Sequence, residues 1–488
     1  MIESSLLQET RSRTFLRAVL LALLYCLPIL LATRPIVDPD IWWHLREGQW
    51  IVSHYAVPTT DPFSAYGLGK PWIAYSWLFE VLVYGLFRCF GLPGLVVYVA
   101  ALSLVITAAL HAFLRRIQPQ SSLVAILTAA GILAMAPVLI HPRPWLLTIL
   151  FFILEVGLIG AARQSGRSWT LLLLPMMFAL WANINIQFVY GLFVLGLAAI
   201  EPLIEPKASD AHARQLRFRW MVGIFLLSSL ATLLNPYGVH VYVPVFDAVR
   251  LTKPFSFLQE LAAPRFRSVF DWLMLTVTLA AVFLLGHRKT DVRTFPALLL
   301  VVGVFLSFRA ARDVWFVVVA ALAVLAEHWP GQMRTRGRLP TSWALAVVGT
   351  VLVVAGSTSY TRLSAGRLDA AIAETFPEAA TAVVNDRHYP GPIYNHYDWG
   401  GYLVWRLPQL LVSMDGRNPL HGDERILRSV ATWDGERGWD SDPELLSAGV
   451  VIGRTNSALV SLLRGDRRFD LVYEDPLAAV FVPRRGSN

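Results

Sequence analysis

Two aspartates, Asp38 and Asp40, flank Pro39 in the stretch "RPIVDPDIWWHLREGQWIVSHYAVPTTDPFS" (34–64), a few residues after an apolar run long enough to cross a bilayer. A carboxylate there has two physical uses. It can serve as a general base that takes the proton of an acceptor hydroxyl. It can equally fix local structure, with Pro39 setting the backbone and Asp40 capping the helix that follows. Residue type and spacing leave both open. His44 could ligate a metal or relay a proton, but a lone histidine on such a helix more often bonds locally. No tight ligand spacing joins it to Asp40 and a third donor, so no metal site is read here, and a need for a divalent cation stays open. Asp61, opening "DPFS", suits an Asx-turn.

A second group has the chemistry of phosphate and sugar binding. Arg143 in "HPRP" and Arg309 and Arg312 in "FRAARD" stand at helix ends. A planar guanidinium offers phosphate a bidentate pair of hydrogen bonds, although pairing with lipid headgroups or with acids such as Asp313 is the plainer use. Asn183, Asn185 and Gln187 in "WANINIQ" interrupt two apolar helices. They form either a self-satisfied turn or a set of donors for sugar hydroxyls. Polar groups at membrane depth are costly unless satisfied, so they default to a cavity or site.

The elements that carry these residues follow from composition. The 488-residue chain is 55% hydrophobic and 16% charged, where a soluble chain carries about 25% charged residues. The expected class is a polytopic α-helical membrane protein of about 11–13 helices, with a small C-terminal α/β extramembrane domain. The formal charge of +8 fits loop arginines at an anionic leaflet, and no nucleic-acid motif accompanies it. Cys26 and Cys89 lie in apolar runs, which argues against a disulfide framework or a zinc site. Apolar runs predict helices near 15–33, 73–90, 92–114, 121–140, 144–162, 169–182, 186–204, 218–235, 269–286, 294–309, 312–328 and 341–359.

Basic clusters at 115–116, 163–167, 207–219, 287–293 and 334–338 fall on one side if the later helices alternate, and that side reads as cytoplasmic. The opposite face collects 34–72, the polar motifs above and the C-terminal residues. The count balances if 73–90, which carries Glu80 and Arg88, does not cross. The tryptophans Trp42, Trp43 and Trp50 suggest that 41–54 is an amphipathic helix in the interface. The expected domains are 1–361 in the membrane, with 34–72 as its first outer loop, and 362–488 outside it. Within the latter, strands are expected at 392–395 and 410–414 and in "AGVVIG", "FDLVYED" and "AAVFVP". Asp415-Gly416-Arg417, at a strand end, suits either ligand binding or a plain turn with an ion pair. The pair Gly400-Gly401 belongs to no nucleotide fingerprint.

The motifs "DPDIWWHLREGQWI", "VPTTDPFS", "PWIAYSWLFE", "RPWLLT", "WANINIQFVYGL", "YDWGGYLVWRLP" and "DGRN", in this order over nearly the whole chain, resemble the GT-C superfamily. Protein mannosyltransferases and aminoarabinose transferases belong to it, and the likeness is nearest to an uncharacterised bacterial branch. The resemblance implies a glycosyltransferase of the bacterial inner membrane. Its donor would be a polyprenyl-phosphate sugar and its acceptor a hydroxyl at the outer face, with inversion at the sugar. An aspartate of the first outer loop would be the base, and Asp40, with Asp38 beside it, best matches that position. His44, Arg143, Asn183, Asn185, Gln187, Arg309 and Arg312 would bind substrate. The alternative class is a lipid or sugar transporter, or a scaffold without chemistry.

Overall fold

The computed structural model describes residues 2–119, 122–204, 216–250, 261–287, 293–329 and 339–484. The expected basic loops at 207–215, 288–292 and 334–338 lie outside the described residues, as does 251–260 of the loop after "NPYG".

The apolar runs are helical nearly where their periodicity and length place them. Five helices are long and apolar enough to span a bilayer: Arg11–Ala32, Trp77–Ile117, Trp145–Ser165, Val269–His287 and Thr341–Arg362. Shorter apolar helices include Leu123–Ala134, Phe188–Ile204, Phe218–Ala231 and Thr294–Arg309. The chain is a multi-pass α-helical membrane protein with a small C-terminal sheet. The two helices expected at 73–90 and 92–114 form one element, Trp77–Ile117, which breaks at Gly91. There φ is 62°, a value that only glycine adopts readily, and Pro93 cannot donate to the helix ladder across the break.

Two compact units divide the chain. The first comprises Met1–Arg34, Val96–Asn235 and Phe255–Leu363. Its centre is the helix Val314–His328, apolar all round and buried along almost its whole length. At its edge, Thr341–Arg362 leaves Leu345, Val348, Leu352 and Val353 exposed, as a lipid-facing helix does.

The second unit comprises Pro35–Leu95, Pro236–Pro254 and Ser364–Asn488, so the polar loop after the first helix packs with the C-terminal residues. Its sheet has β1 (Ile393–Asn395), β2 (Val450–Arg454), β3 (Phe469–Glu474) and β4 (Ala478–Pro483) in the order β1-β2-β4-β3. The β1–β2 pair is parallel and the others antiparallel. Tyr394, Trp433, Val451, Leu459, Phe469 and Phe481 are among the residues of its core. The strand expected at 410–414 is not one. Val412 makes only isolated bridges, to Ile393 on one side and Ser64 on the other. Its N–H donates to the Phe63 carbonyl, and the Ala65 N–H donates back to its own. The segment is a two-sided splice between the sheet and the Phe63–Ala65 loop, too short to form a ladder.

The tryptophans are also placed differently. Trp42 and Trp43 are 3% and 4% exposed, inside the second unit. Trp42 meets Tyr402 and Phe376 edge-on at 5.1 and 5.6 Å, and those two rings stack at 4.9 Å. Only Trp50 of the three is half-exposed, stacked on His54. The aromatic content that reads as an interface belt is mostly core, because the Ile41–His54 helix is covered on most faces.

Candidate functional site

The helix Ile41–His54 begins at Asp40, whose carbonyl accepts the first intrahelical bond from the His44 N–H. The Asp40 side chain makes no capping hydrogen bond. Asp38 does the local work instead: its Oδ1 accepts the Asp40 N–H at 2.9 Å, and the residue is buried. Half-buried Asp40 points at Gly416, where a Cβ would stand only 1.9 Å from its Oδ1. Gly401 is likewise packed against the carbonyl of Pro39 and the ring of Trp43. Two glycines of "YDWGGYLVWRLP" and "DGRN" are thus explained by close approach to the turn that carries Asp40.

Behind this turn lies a set of buried acids. His44 Nδ1 is 3.2 Å from Glu80 Oε1, and both residues are buried. Glu47, one turn further along, is wholly buried and accepts the Trp72 Nε1–H at 2.5 Å. His44 thus pairs with an acid of another helix, 36 positions along the chain. Glu80 faces Glu47. Burial pushes the Glu47 carboxyl up to about 7, against the pull of Arg417 and the Trp72 hydrogen bond. Neither glutamate was singled out from sequence as a site residue. The usable signal was Glu80 itself, a lone acid near the start of a long apolar helix, which demands a partner.

The sign of the resulting pH dependence is fixed. A carboxyl held above its unfolded value binds more protons folded than unfolded, so its contribution is full below about 4.5 and lost as pH rises through about 7. Glu47→Gln, which keeps the Trp72 acceptor, should flatten the fall in melting temperature between pH 4.5 and 7.5. Parallel wild-type and variant curves in thermal scans across that range would show that Glu47 is not the titrating group.

Arg417 is the centre of the second unit's charge network. It is 1% exposed, with Nη1 on Asp61 Oδ1 and Nη2 on Asp415 Oδ2, each at 2.6 Å. Its guanidinium lies between the Phe63 and Trp72 rings, 5.2 and 5.1 Å from their centroids. Burial opposes its charge, but Asp415 and Asp61 outweigh that and hold it above the ordinary arginine range. Asp415 is the mirror case: burial would raise it, yet Arg417 and His421 keep it below the usual carboxylate range. Arg425 continues the network with His421 Nδ1 at 2.6 Å and Glu444 at 2.5 and 2.7 Å. Asp61 also makes the expected turn, its carboxylate accepting the N–H groups of Phe63 and Ser64. "DPFS" and "DGRN" are two halves of one buried ion cluster. Among the described residues, no three or more His, Cys, Asp or Glu side chains gather as ligands for a metal ion.

In the first unit, "WANINIQ" is largely satisfied by the protein. Asn183 Nδ2 donates to the carbonyls of Ala179 and Leu234. Asn185 donates to Gln187 Oε1 and Thr148 Oγ1. Gln187 Nε2 and the Tyr190 hydroxyl each donate to one oxygen of Asp313 at 3.0 Å. Exposed Arg309 and half-buried Arg312 both lie near enough to Tyr190 to act on its hydroxyl electrostatically. The network therefore ends beside two arginines rather than in a plain turn. Arg143, 8% exposed, lies over the Trp145 ring at 5.1 Å. Glu155, in the middle of Trp145–Ser165, is fully buried, and neither of its oxygens meets a hydrogen-bond partner. A lone acid in an apolar helix was a legible signal there too.

No family model and no curated protein matches this chain. Solved structures do. The archaeal oligosaccharyltransferase AglB from Archaeoglobus fulgidus, in complex with an inhibitory peptide and a dolichol-phosphate, matches with a TM-score of 0.55 and 10% identity, over 91% of this chain and 69% of that one. The same oligosaccharyltransferase tethered to an acceptor peptide matches with a TM-score of 0.55 and 10% identity, over 90% and 69%. ArnT from Cupriavidus metallidurans in the apo state matches with a TM-score of 0.51 and 14% identity, over 99% of this chain and 98% of that one. At such identities the likeness is one of fold.

Proposed function

We propose that this chain, whose fold is the GT-C fold, is a membrane glycosyltransferase that takes a sugar from a polyprenyl-phosphate donor and gives it to an acceptor hydroxyl. The observation that carries the reading is the turn at Asp40. Its side chain makes no capping hydrogen bond, its own N–H is held by Asp38, and the backbone opposite is glycine, which leaves room for the carboxylate. Support for a phosphate-bearing lipid comes from the dolichol-phosphate bound to AglB.

In this reading Asp40 takes the acceptor's proton as the acceptor oxygen bonds to the anomeric carbon. The bond from that carbon to the phosphate oxygen breaks, and the polyprenyl phosphate leaves. One displacement inverts the sugar. Arg143, Arg309 and Arg312 serve the phosphate, balancing the charge that develops on the leaving oxygen. The Gln187–Asp313–Tyr190 network lies beside Arg309 and Arg312. Asp38 is a positioning residue. The N-terminus is cytoplasmic and the C-terminal residues lie at the outer face of the bacterial inner membrane, as the basic loops imply.

The test uses purified protein in liposomes with a radiolabelled polyprenyl-phosphate sugar and mixed hydroxyl acceptors. The expected result is label in a new glycosidic linkage with release of polyprenyl phosphate. Label that crosses the bilayer with its donor linkage intact would replace this reading with a transporter.

A further inference from the structure

A cavity of about 130 Å³ lies in the first unit among three helices. It is lined by Arg17 and Tyr25 of the first helix, His111 and Arg115 near the end of Trp77–Ile117, and Ser122 at the cap of Leu123–Ala134. The remaining described lining residues are apolar and none is acidic. The Tyr25 hydroxyl and His111 Nδ1 are 2.7 Å apart, which fixes both side chains, and His111 is only 6% exposed. The two guanidinium groups act on each other through space. Two guanidinium-bearing side chains in one lining without an acid among the described lining residues give the cavity a positive potential that suits an anion. Arg115 is exposed, so the cavity has an open mouth. Arg11 and Arg13 precede Arg17 on the first helix and Arg116 follows Arg115, and a basic cluster beside an apolar run suits the level at which lipid headgroups meet a protein.

We propose that this cavity binds a phosphate group, that of an anionic phospholipid headgroup or a free phosphate. It is distinct from Arg143, Arg309 and Arg312. The volume holds one tetrahedral anion or several waters. The paired forks of Arg17 and Arg115 grip its oxygens, and the Ser122 hydroxyl and the Tyr25–His111 pair supply further polar contacts. A lipid source would lay its chains along the apolar wall that Leu20 and Leu21 provide.

The full chain in phosphatidylcholine nanodiscs is titrated with phosphatidylglycerol, and separately with inorganic phosphate. Retained lipid is read by native mass spectrometry and stabilisation by thermal scan. Wild type is expected to bind phosphatidylglycerol about tenfold more tightly than the double variant Arg17→Gln/Arg115→Gln. Arg116→Gln, which removes an equal charge outside the lining, should bind as wild type does. Stabilisation by inorganic phosphate alone, lost in the double variant, assigns the site to free phosphate. Equal binding of both probes by wild type and the double variant overturns the proposal, as does an equal loss in Arg116→Gln. Should the double variant not fold, Arg17→Lys/Arg115→Lys keeps the charge and loses the forks. Undiminished phosphatidylglycerol binding there overturns the bidentate grip.

Discussion

Arg417→Met should destabilise the second unit by about 3–5 kcal/mol, the cost of breaking a buried ion pair by removing one partner. The side chain is wholly buried and touches two carboxylates that are themselves wholly buried. Methionine fills the space between Phe63 and Trp72 but leaves Asp61 and Asp415 facing each other without a cation. At roughly 2–4 °C per kcal/mol for a unit of this size, the melting temperature should fall by about 6–20 °C. The pH response separates this cause from lost packing. In the wild type, Asp415 is held low, so its stability contribution is full above its unfolded value and is lost only as pH falls from there toward its depressed folded value. Without Arg417 only His421 offsets the desolvation of the same carboxylate, so the variant should recover stability on acidification from pH 7 to 5 while the wild type does not. Adding Asp61→Asn and Asp415→Asn to Arg417→Met should restore much of the loss at neutral pH. A triple variant as unstable as the single one would mean that the ring contacts, not the charges, carry Arg417's contribution.

That cluster also shows what a single sequence conceals. The helices were legible because apolar runs and their breakers are local signals, and all twelve expected ranges contain helix close to the expected bounds. Those at 73–90 and 92–114 join at Gly91. Asp61 and Arg417, by contrast, are 356 positions apart. Each has a sufficient local explanation, an Asx-turn for one and a turn with an ion pair for the other, and both local explanations hold. What spacing cannot reveal is that the two turns share one guanidinium. The strand expected at 410–414 fails for a related reason. Its alternation is that of a strand, but its neighbours, β1 and the Phe63–Ala65 loop, leave room for single bridges only. Trp42 and Trp43 misread as interfacial because charged neighbours on a short helix look the same whether the helix meets lipid or a folded domain. That the arginine motifs and the Asp38–Asp40 motif belong to different units was not legible, because spacing along the chain does not report which segments pack together.

Asp40→Asn should lower sugar transfer by about 10²–10⁴-fold, the usual worth of a positioned general base, while donor-lipid binding and melting temperature stay at wild-type values. The substitution discriminates between the two uses open from sequence. Asparagine is as good a helix cap as aspartate, so a residue whose work is capping tolerates it, whereas a base does not. Asp38→Asn should cost less, because an amide oxygen still accepts the Asp40 N–H. Gly416→Ala reaches the same carboxylate from the other side. Its methyl would stand 1.9 Å from Asp40 Oδ1, so the carboxylate or the loop must move, and transfer should fall even though residue 416 carries no reacting group. If both variants act through Asp40, they are not additive: Gly416→Ala placed on Asp40→Asn should lose little further activity. Full additivity would assign Gly416 a role of its own. Unchanged turnover in Asp40→Asn, with the wild type active, would remove Asp40 from the mechanism and return the turn to architecture.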